Sequence, residues 1–204
     1  MLLETQGCLE YDEQDLPAEL ADLDLSYHAH LPVDLPWTRG AANVSRLLCD
    51  LERKIAFTRP WGYVLHPPCP HDLENLLRLR PDLSPRLCLE NTRGHDLSEA
   101  WPVIEAHDLG VCLDLGHLVS YGQERLLLRP GIHERIRIMH VYGGESASGH
   151  AGLDQLPDPG ILRRILTRLT RPCVLVVEVF HKDEFSRSLA LLRSWLDAWG
   201  MSHD

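Results

Sequence analysis

The sequence predicts an α/β fold of the (β/α) barrel type, on three observations. Short β-rich runs alternate with stretches of helical spacing, the runs are continuously apolar, and their C-terminal ends carry His, Asp or Glu. Alternation with runs such as Cys173-Val174-Leu175-Val176-Val177 indicates a parallel sheet covered by helices. A doubly wound nucleotide-binding sheet would show G-x-G-x-x-G or G-x-x-x-x-G-K-[ST] after its first strand, and neither occurs. A barrel instead places its chemistry on side chains at the C-terminal ends of many strands.

Seven strands are expected: Met1 to Thr5, Ser26 to Leu31, Gly62 to Leu65, Arg86 to Leu89, Gly110 to Leu115, Ile136 to Tyr142 and Cys173 to Val179. Between them, Val44, Leu47, Leu48, Leu51 and Ile55 form the clearest helical stripe, since i, i+3, i+4, i+7 spacing puts side chains on one helix face. Further helices are expected over Asp12 to Leu23, Asp72 to Leu79, Leu97 to His107, Gln123 to Arg135, Gly160 to Leu169 and Asp183 to Trp199. The 204 residues suit one domain spanning 1–204, given roughly 150 residues per domain.

Charge and cysteine usage narrow the function classes. With 30 Asp+Glu against 20 Lys+Arg the net charge is −10, the wrong sign for a protein that grips a phosphate backbone, so nucleic acid is not an expected partner. No apolar run approaches the ~18 residues of a membrane span, and Met1-Leu2-Leu3-Glu4 lacks the basic segment of a secretory signal, so the cytoplasm is the expected compartment. The six cysteines form no C-x-x-C pair, which argues against a zinc ribbon or a thioredoxin-type site.

From the second strand to the seventh, the last strand or first loop positions carry His28 and His30, His66, Glu90, Asp114 and His117, His140, and Glu178. Imidazoles and carboxylates gathered at one barrel mouth repel one another unless they share a cation, and divalent metals take such N/O sets readily. The set exceeds the four ligands of one tetrahedral zinc, so two or three divalent ions, Zn or Mn, are expected. Alternation puts His28 and His30 on one strand face about 6.6 Å apart, so only His30, nearer the C-terminal end, should reach the metals. In Asp114-Leu115-Gly116-His117 the glycine is expected to let the chain turn so that His117 faces the same centre as Asp114. Asn91 is a candidate for positioning a ligand or for binding substrate, and Arg93 for contacting phosphate.

Read together, Tyr27-His28-Ala29-His30-Leu31-Pro32-Val33-Asp34-Leu35, Leu65-His66-Pro67, Leu89-Glu90-Asn91, Cys112-Leu113-Asp114-Leu115-Gly116-His117, Met139-His140-Val141 and Glu178-Val179-Phe180 resemble the xylose isomerase-like, endonuclease IV-type TIM-barrel superfamily. Within it the sequence is most similar to the cobamide-remodelling phosphodiesterases, through His-Leu-Pro-Val-Asp-Leu, Asp-Leu-Gly-His, and Glu178-Val179-Phe180 followed by Phe185, Ser188 and Leu189. The resemblance implies a metal site at His30, His66, Glu90, Asp114, His117, His140, His150 and Glu178, with Glu90 bridging metals. It also implies a barrel whose first strand this chain lacks, Met1 to Thr5 corresponding to the second. Relatives carry an aspartate beside or just before the loop histidine, where this chain reads Ser148-Gly149-His150.

The chemistry implied by the subfamily is hydrolysis of the nucleotide-loop phosphodiester of a cobamide, with Glu90 and Glu178 catalytic and a small molecule as the partner. Residue types alone leave a sugar (phosphate) isomerase or epimerase, an abasic-site endonuclease and a non-catalytic barrel open, because the same ligands serve each.

Overall fold

The computed structural model describes residues 4–12, 15–147 and 149–203. Its main sheet has six parallel strands in the order of the chain, which gives an α/β fold with the topology of an incomplete TIM-type barrel. The described chain divides into two compact units, one of residues 4–90 and 97–110 and the other of residues 91–96 and 111–203.

In the first unit, helix α1 (Thr5–Glu10) is followed by strand β1 (Ala29–His30), helix α2 (Ala41–Ile55), strand β2 (Tyr63–Leu65), helix α3 (Pro70–Leu79), strand β3 (Leu87–Glu90) and helix α4 (Trp101–Ala106). The expected strand Met1 to Thr5 is not met by the described residues: residues 1–3 lie outside them, and Thr5 opens α1. Asp34 accepts hydrogen bonds from the backbone N–H (2.6 Å) and the hydroxyl (2.8 Å) of Thr5, and this contact fixes the start of α1. Helix α2 buries Val44, Leu48 and Leu51 of the expected stripe, and α3 buries Leu73, Leu76 and Leu77. Strands β2 and β3 are buried along their whole length, so they read as unbroken apolar runs.

In the second unit, strand β4 (Gly110–Asp114, from Val111 on) leads directly into helix α5 (Leu115–Ser120). Then come α6 (Ile132–Arg135), β5 (Ile136–Val141), a hairpin of β6 (Glu145–Ser146) and β7 (Gly149–His150), α7 (Pro159–Leu166), β8 (Val174–Val177) and α8 (Lys182–Ala198). Helix α7 opens on an Asp158 cap, whose carboxylate accepts the Gly160 N–H, with Pro159 in the first helical position. Helix α8 turns Ser188, Leu192 and Leu196 inward, and the Ser188 hydroxyl accepts the Leu153 N–H at 3.0 Å.

Three expected helices are shorter than their apolar spacing suggests, each where proline or a left-handed residue breaks the spiral. Over Asp12 to Leu23 there is a 3-10 turn, Ala18–Asp22, that starts after Pro17, residues 13 and 14 lying outside the description. Leu97 has a left-handed backbone (φ 64°), and the helix begins only at Trp101, with Pro102 in its first turn. Gln123 to Arg135 divides into a 3-10 turn and α6 at Pro130-Gly131, where Gly131 has φ 76°.

Candidate metal centres

Parallel register assembles the first group. Leu65 pairs with Leu89, so the next residues, His66 and Glu90, leave the ends of β2 and β3 side by side, and His30 ends β1 beside them. The Nδ1 of His30 lies 2.7 Å from the carbonyl of Leu31, and its Nε2 lies 2.9 Å from Glu90 Oε2. His66 Nε2 is 3.4 Å from the same oxygen. Glu90 is buried, with 2% of its surface exposed, and so sits far from the water that would otherwise solvate a carboxylate.

A carbonyl only accepts hydrogen bonds, so the nitrogen of His30 facing Leu31 carries the ring proton. In the neutral ring the nitrogen facing Glu90 then presents a lone pair, a carboxylate oxygen facing it. That arrangement is satisfied by a second proton or by a cation. Two ligands about 2.1 Å from a tetrahedral zinc lie about 3.4 Å apart, so the 2.9 and 3.4 Å separations suit a shared ion. The backbone carbonyl behind the ring is the outer contact that orients a ligating histidine. His28 packs its ring against Trp61, with centroids 5.8 Å apart, and belongs to no ligand-capable group among the described residues.

In the second unit, Asp114 and His140 are register partners on β4 and β5, and Glu178 follows β8, its N–H donating to the carbonyl of Val141. His140 Nδ1 stands 3.0 Å from Glu178 Oε2 and 3.8 Å from Asp114 Oδ2. Asp114 also caps α5, accepting the His117 N–H at 2.6 Å, so one carboxylate both starts a helix and faces two histidines; its Oδ2 is 3.1 Å from His117 Nδ1. The turn expected at Asp114-Leu115-Gly116-His117 is therefore the first turn of a helix. Gly116 serves packing rather than turning: a β-carbon there would stand 2.0 Å from Cε2 of Tyr142.

Asn91 is fully buried. Its amide donates to the carbonyl of Asp114 and to Gln123 Oε1, both at 3.0 Å, and its oxygen accepts the Asp114 N–H at 2.8 Å. Asn91 thus ties the backbone of Asp114 to Gln123. Arg93 is exposed, its guanidinium 5.7 Å above the Tyr121 ring.

Sequence reasoning missed Glu145. Its Oε1 lies 3.2 Å from His150 Nε2 and 3.6 Å from His117 Nε2, and it accepts the Tyr142 hydroxyl at 3.2 Å. The signal available was the pair Gly143-Gly144: a β-carbon on Gly143 would meet the carbonyl of Gly152 at 2.1 Å, and Gly144 has φ 126°, so only glycines carry the chain into this hairpin. Burial, followed by the carboxylates of Asp114, Glu145 and Glu178, holds the Tyr142 hydroxyl far above the usual phenol range, so it remains a donor.

Within single units, three-residue sets bring potential ligand atoms close enough to hold a cation: His30, His66 and Glu90 in one, and His117, Glu145 and His150, and separately Asp114, His140 and Glu178, in the other. Among solved structures the chain is similar to a xylose isomerase domain protein from Planctomyces limnophilus, at 14% identity and a TM-score of 0.64, over 93% of this chain and 84% of that one. It is also similar to endonuclease IV from Thermus thermophilus, at 22% identity and a TM-score of 0.54, over 77% of this chain and 69% of that one. The chain has their fold. No family model and no curated protein matches it. No helix of the described residues is long and apolar enough to cross a membrane.

Proposed function

We propose that the chain is a divalent-metal-dependent phosphodiesterase of the cobamide-remodelling type, which hydrolyses the nucleotide-loop phosphodiester of a B12-type corrinoid. The observation that carries the metal dependence is the pair of imidazole–carboxylate groups in which two histidine nitrogens face one carboxylate oxygen, with the other nitrogen of His30, His117 and His150 directed at a backbone carbonyl. His30, His66 and Glu90 hold an ion in the first unit; Asp114, His117, His140, His150 and Glu178 provide ligands in the second. Bound divalent ions, Zn or Mn, supply Lewis acidity toward a phosphoryl oxygen and a water acidic enough to attack near neutral pH.

The chain's own groups do the rest. Glu90 and Glu178 are the catalytic carboxylates, buried enough that their charge acts at low dielectric. Arg93, exposed beside Tyr121, steadies a phosphate oxygen of a small-molecule substrate in this reading. The choice of a cobamide rests on the sequence resemblance through Asp-Leu-Gly-His and Glu178-Val179-Phe180, and the acidic balance of the chain disfavours nucleic acid as substrate. A second reading, isomerisation of a keto sugar or its phosphate, is favoured by the likeness to the xylose isomerase domain protein over 93% of this chain.

The test is to incubate the full chain, loaded with Zn or with Mn, with a cobamide and separately with a panel of keto sugars and sugar phosphates, and to identify products by mass spectrometry. Release of the lower-ligand nucleoside portion, abolished by chelation, supports the proposal. Interconversion of a sugar with no cobamide cleavage replaces it with the second reading, and turnover of neither overturns both.

A further inference from the structure

The hairpin of β6 and β7 pairs Glu145 directly with His150. The His150 ring packs against two others: it stacks on Tyr142 with centroids 3.9 Å and planes 6° apart, and Phe180 lies 5.0 Å away. Its Nδ1 is 2.9 Å from the carbonyl of Glu178, while Nδ1 of His117 is 3.1 Å from the carbonyl of Asn91. Carbonyl partners place the proton on Nδ1 in each ring, which leaves Nε2 as the lone-pair nitrogen in the neutral form. Both lone-pair nitrogens then face Glu145 Oε1, at 3.2 and 3.6 Å.

Two imidazole lone pairs directed at one carboxylate oxygen repel unless something positive lies among them. The separations bracket the roughly 3.4 Å between ligands of a tetrahedral zinc, and three protein ligands leave a fourth position open. The carboxylate is itself held in place: the Tyr142 hydroxyl donates to Oε1, and the Glu145 N–H donates to Ser120 Oγ at 2.9 Å. All of these residues belong to the second unit.

We propose that Glu145 is a metal ligand, and that with His117 and His150 it holds one divalent cation. The proposal rests on the metal-dependent reading above. It gives the chain, from the opposite strand of the hairpin, the carboxylate that its Ser148-Gly149-His150 sequence lacks. With two neutral imidazoles as the other ligands, Glu145 would set the charge of the site and not only its affinity.

The test measures zinc bound per full chain, after equilibration with limiting free zinc, for the wild type, Glu145→Gln, Glu145→Asp and His150→Ala, with circular dichroism to confirm folding. Glu145→Gln and His150→Ala should each carry one equivalent fewer than wild type. The affinity for that equivalent should fall by more than the roughly 10–100-fold seen when only an outer contact of a ligand is removed. Glu145→Asp, which keeps the charge on a shorter arm, should recover part of it. If Glu145→Gln retains every equivalent while His150→Ala loses one, Glu145 is not a ligand and the metal-dependent reading stands. If a folded Glu145→Gln loses all its zinc, the separate site is refuted. A wild-type chain that binds no divalent cation overturns both readings.

Discussion

The ring of Tyr142 lies on Gly116, so closely that a β-carbon at residue 116 would fall 2.0 Å from Cε2 and 2.1 Å from Cζ. Tyr142 is fully buried and cannot swing into solvent, and the same ring carries the stack on His150. The approach of α5 to the end of β5 is therefore set by a missing side chain, and with it the 6.3 Å between the His117 and His150 rings. Gly116→Ala should cost about 1–3 kcal/mol, the usual range for overpacking a filled core, with His117 and His150 both displaced. Urea unfolding measures the first effect and zinc affinity of the second unit the second; an unchanged midpoint would mean that the ring has room to retreat.

Lys54 gives another local prediction. Its ammonium reaches the carbonyls of Cys8 (3.1 Å), Leu9 and Tyr11, so one cation closes the C-terminal end of α1, where helix carbonyls lack intrahelical partners. Lys54→Met keeps the stem and removes the donor. It should lower stability by about 1–3 kcal/mol and raise hydrogen exchange over residues 5–12 first, since α1 buries no residue of its own. Lys54→Arg should rescue only in part, because a planar fork does not point three donors at one spot. Unaltered exchange in Lys54→Met would show that α1 is held by Asp34 and Thr5 alone.

Alkaline pH offers a third test. Tyr63 is buried on β2, and burial, then the charge of Glu52, raises its hydroxyl above the ordinary phenol value, against the opposing pull of Arg86. A group whose pKa is raised on folding contributes stability that is whole below the unfolded pKa, near 10, and is lost as pH climbs toward the folded value. Wild-type stability should therefore fall faster than that of Tyr63→Phe above about pH 10, by at most about 1.4 kcal/mol per pH unit. The comparison is of slopes, since removing the hydroxyl also removes its 3.0 Å contact with Arg86 at every pH. Parallel slopes would place the Tyr63 hydroxyl in contact with water.

What the sequence discloses, and what it hides, follows from the range of the forces involved. Strands buried along their length announce themselves as apolar runs, which is why Tyr63–Leu65, Gly110–Asp114 and Ile136–Val141 fall within the expected segments and Leu87–Glu90 passes its segment by one residue, while Val174–Val177, exposed to half-buried, is legible through its unbroken valine and leucine run. Helix α5 is hidden because Asp114, a ligand-type residue at a strand end, also caps a helix with no loop between strand and helix. The hairpin was hidden because strands of two residues have no periodicity to detect. Glu145, flanked by polar and small residues, acquires its place only when Gly143, Gly144 and Tyr142 close the chain back on His150, a long-range event that local spacing does not record.

The last prediction separates two histidines on one strand. His28 and His30 are two residues apart, so alternation sends both side chains to the same face, one layer removed from each other. The structure places His30 Nε2 2.9 Å from Glu90, beside His66, and sets the His28 ring against Trp61. On the metal-dependent proposal, His30→Ala should strip zinc from the first unit, because a ligand and the carbonyl-fixed orientation that makes it one disappear together; Glu90→Gln should do the same by withdrawing the charge that balances the ion. His28→Ala should keep its zinc and lose only packing, about 1–2 kcal/mol by analogy with the removal of other partly buried side chains. Zinc content of the three folded variants decides it. Loss of metal in His28→Ala with retention in His30→Ala would mean that the end of β1 is shifted in register, so that the inner histidine and not the outer one meets Glu90.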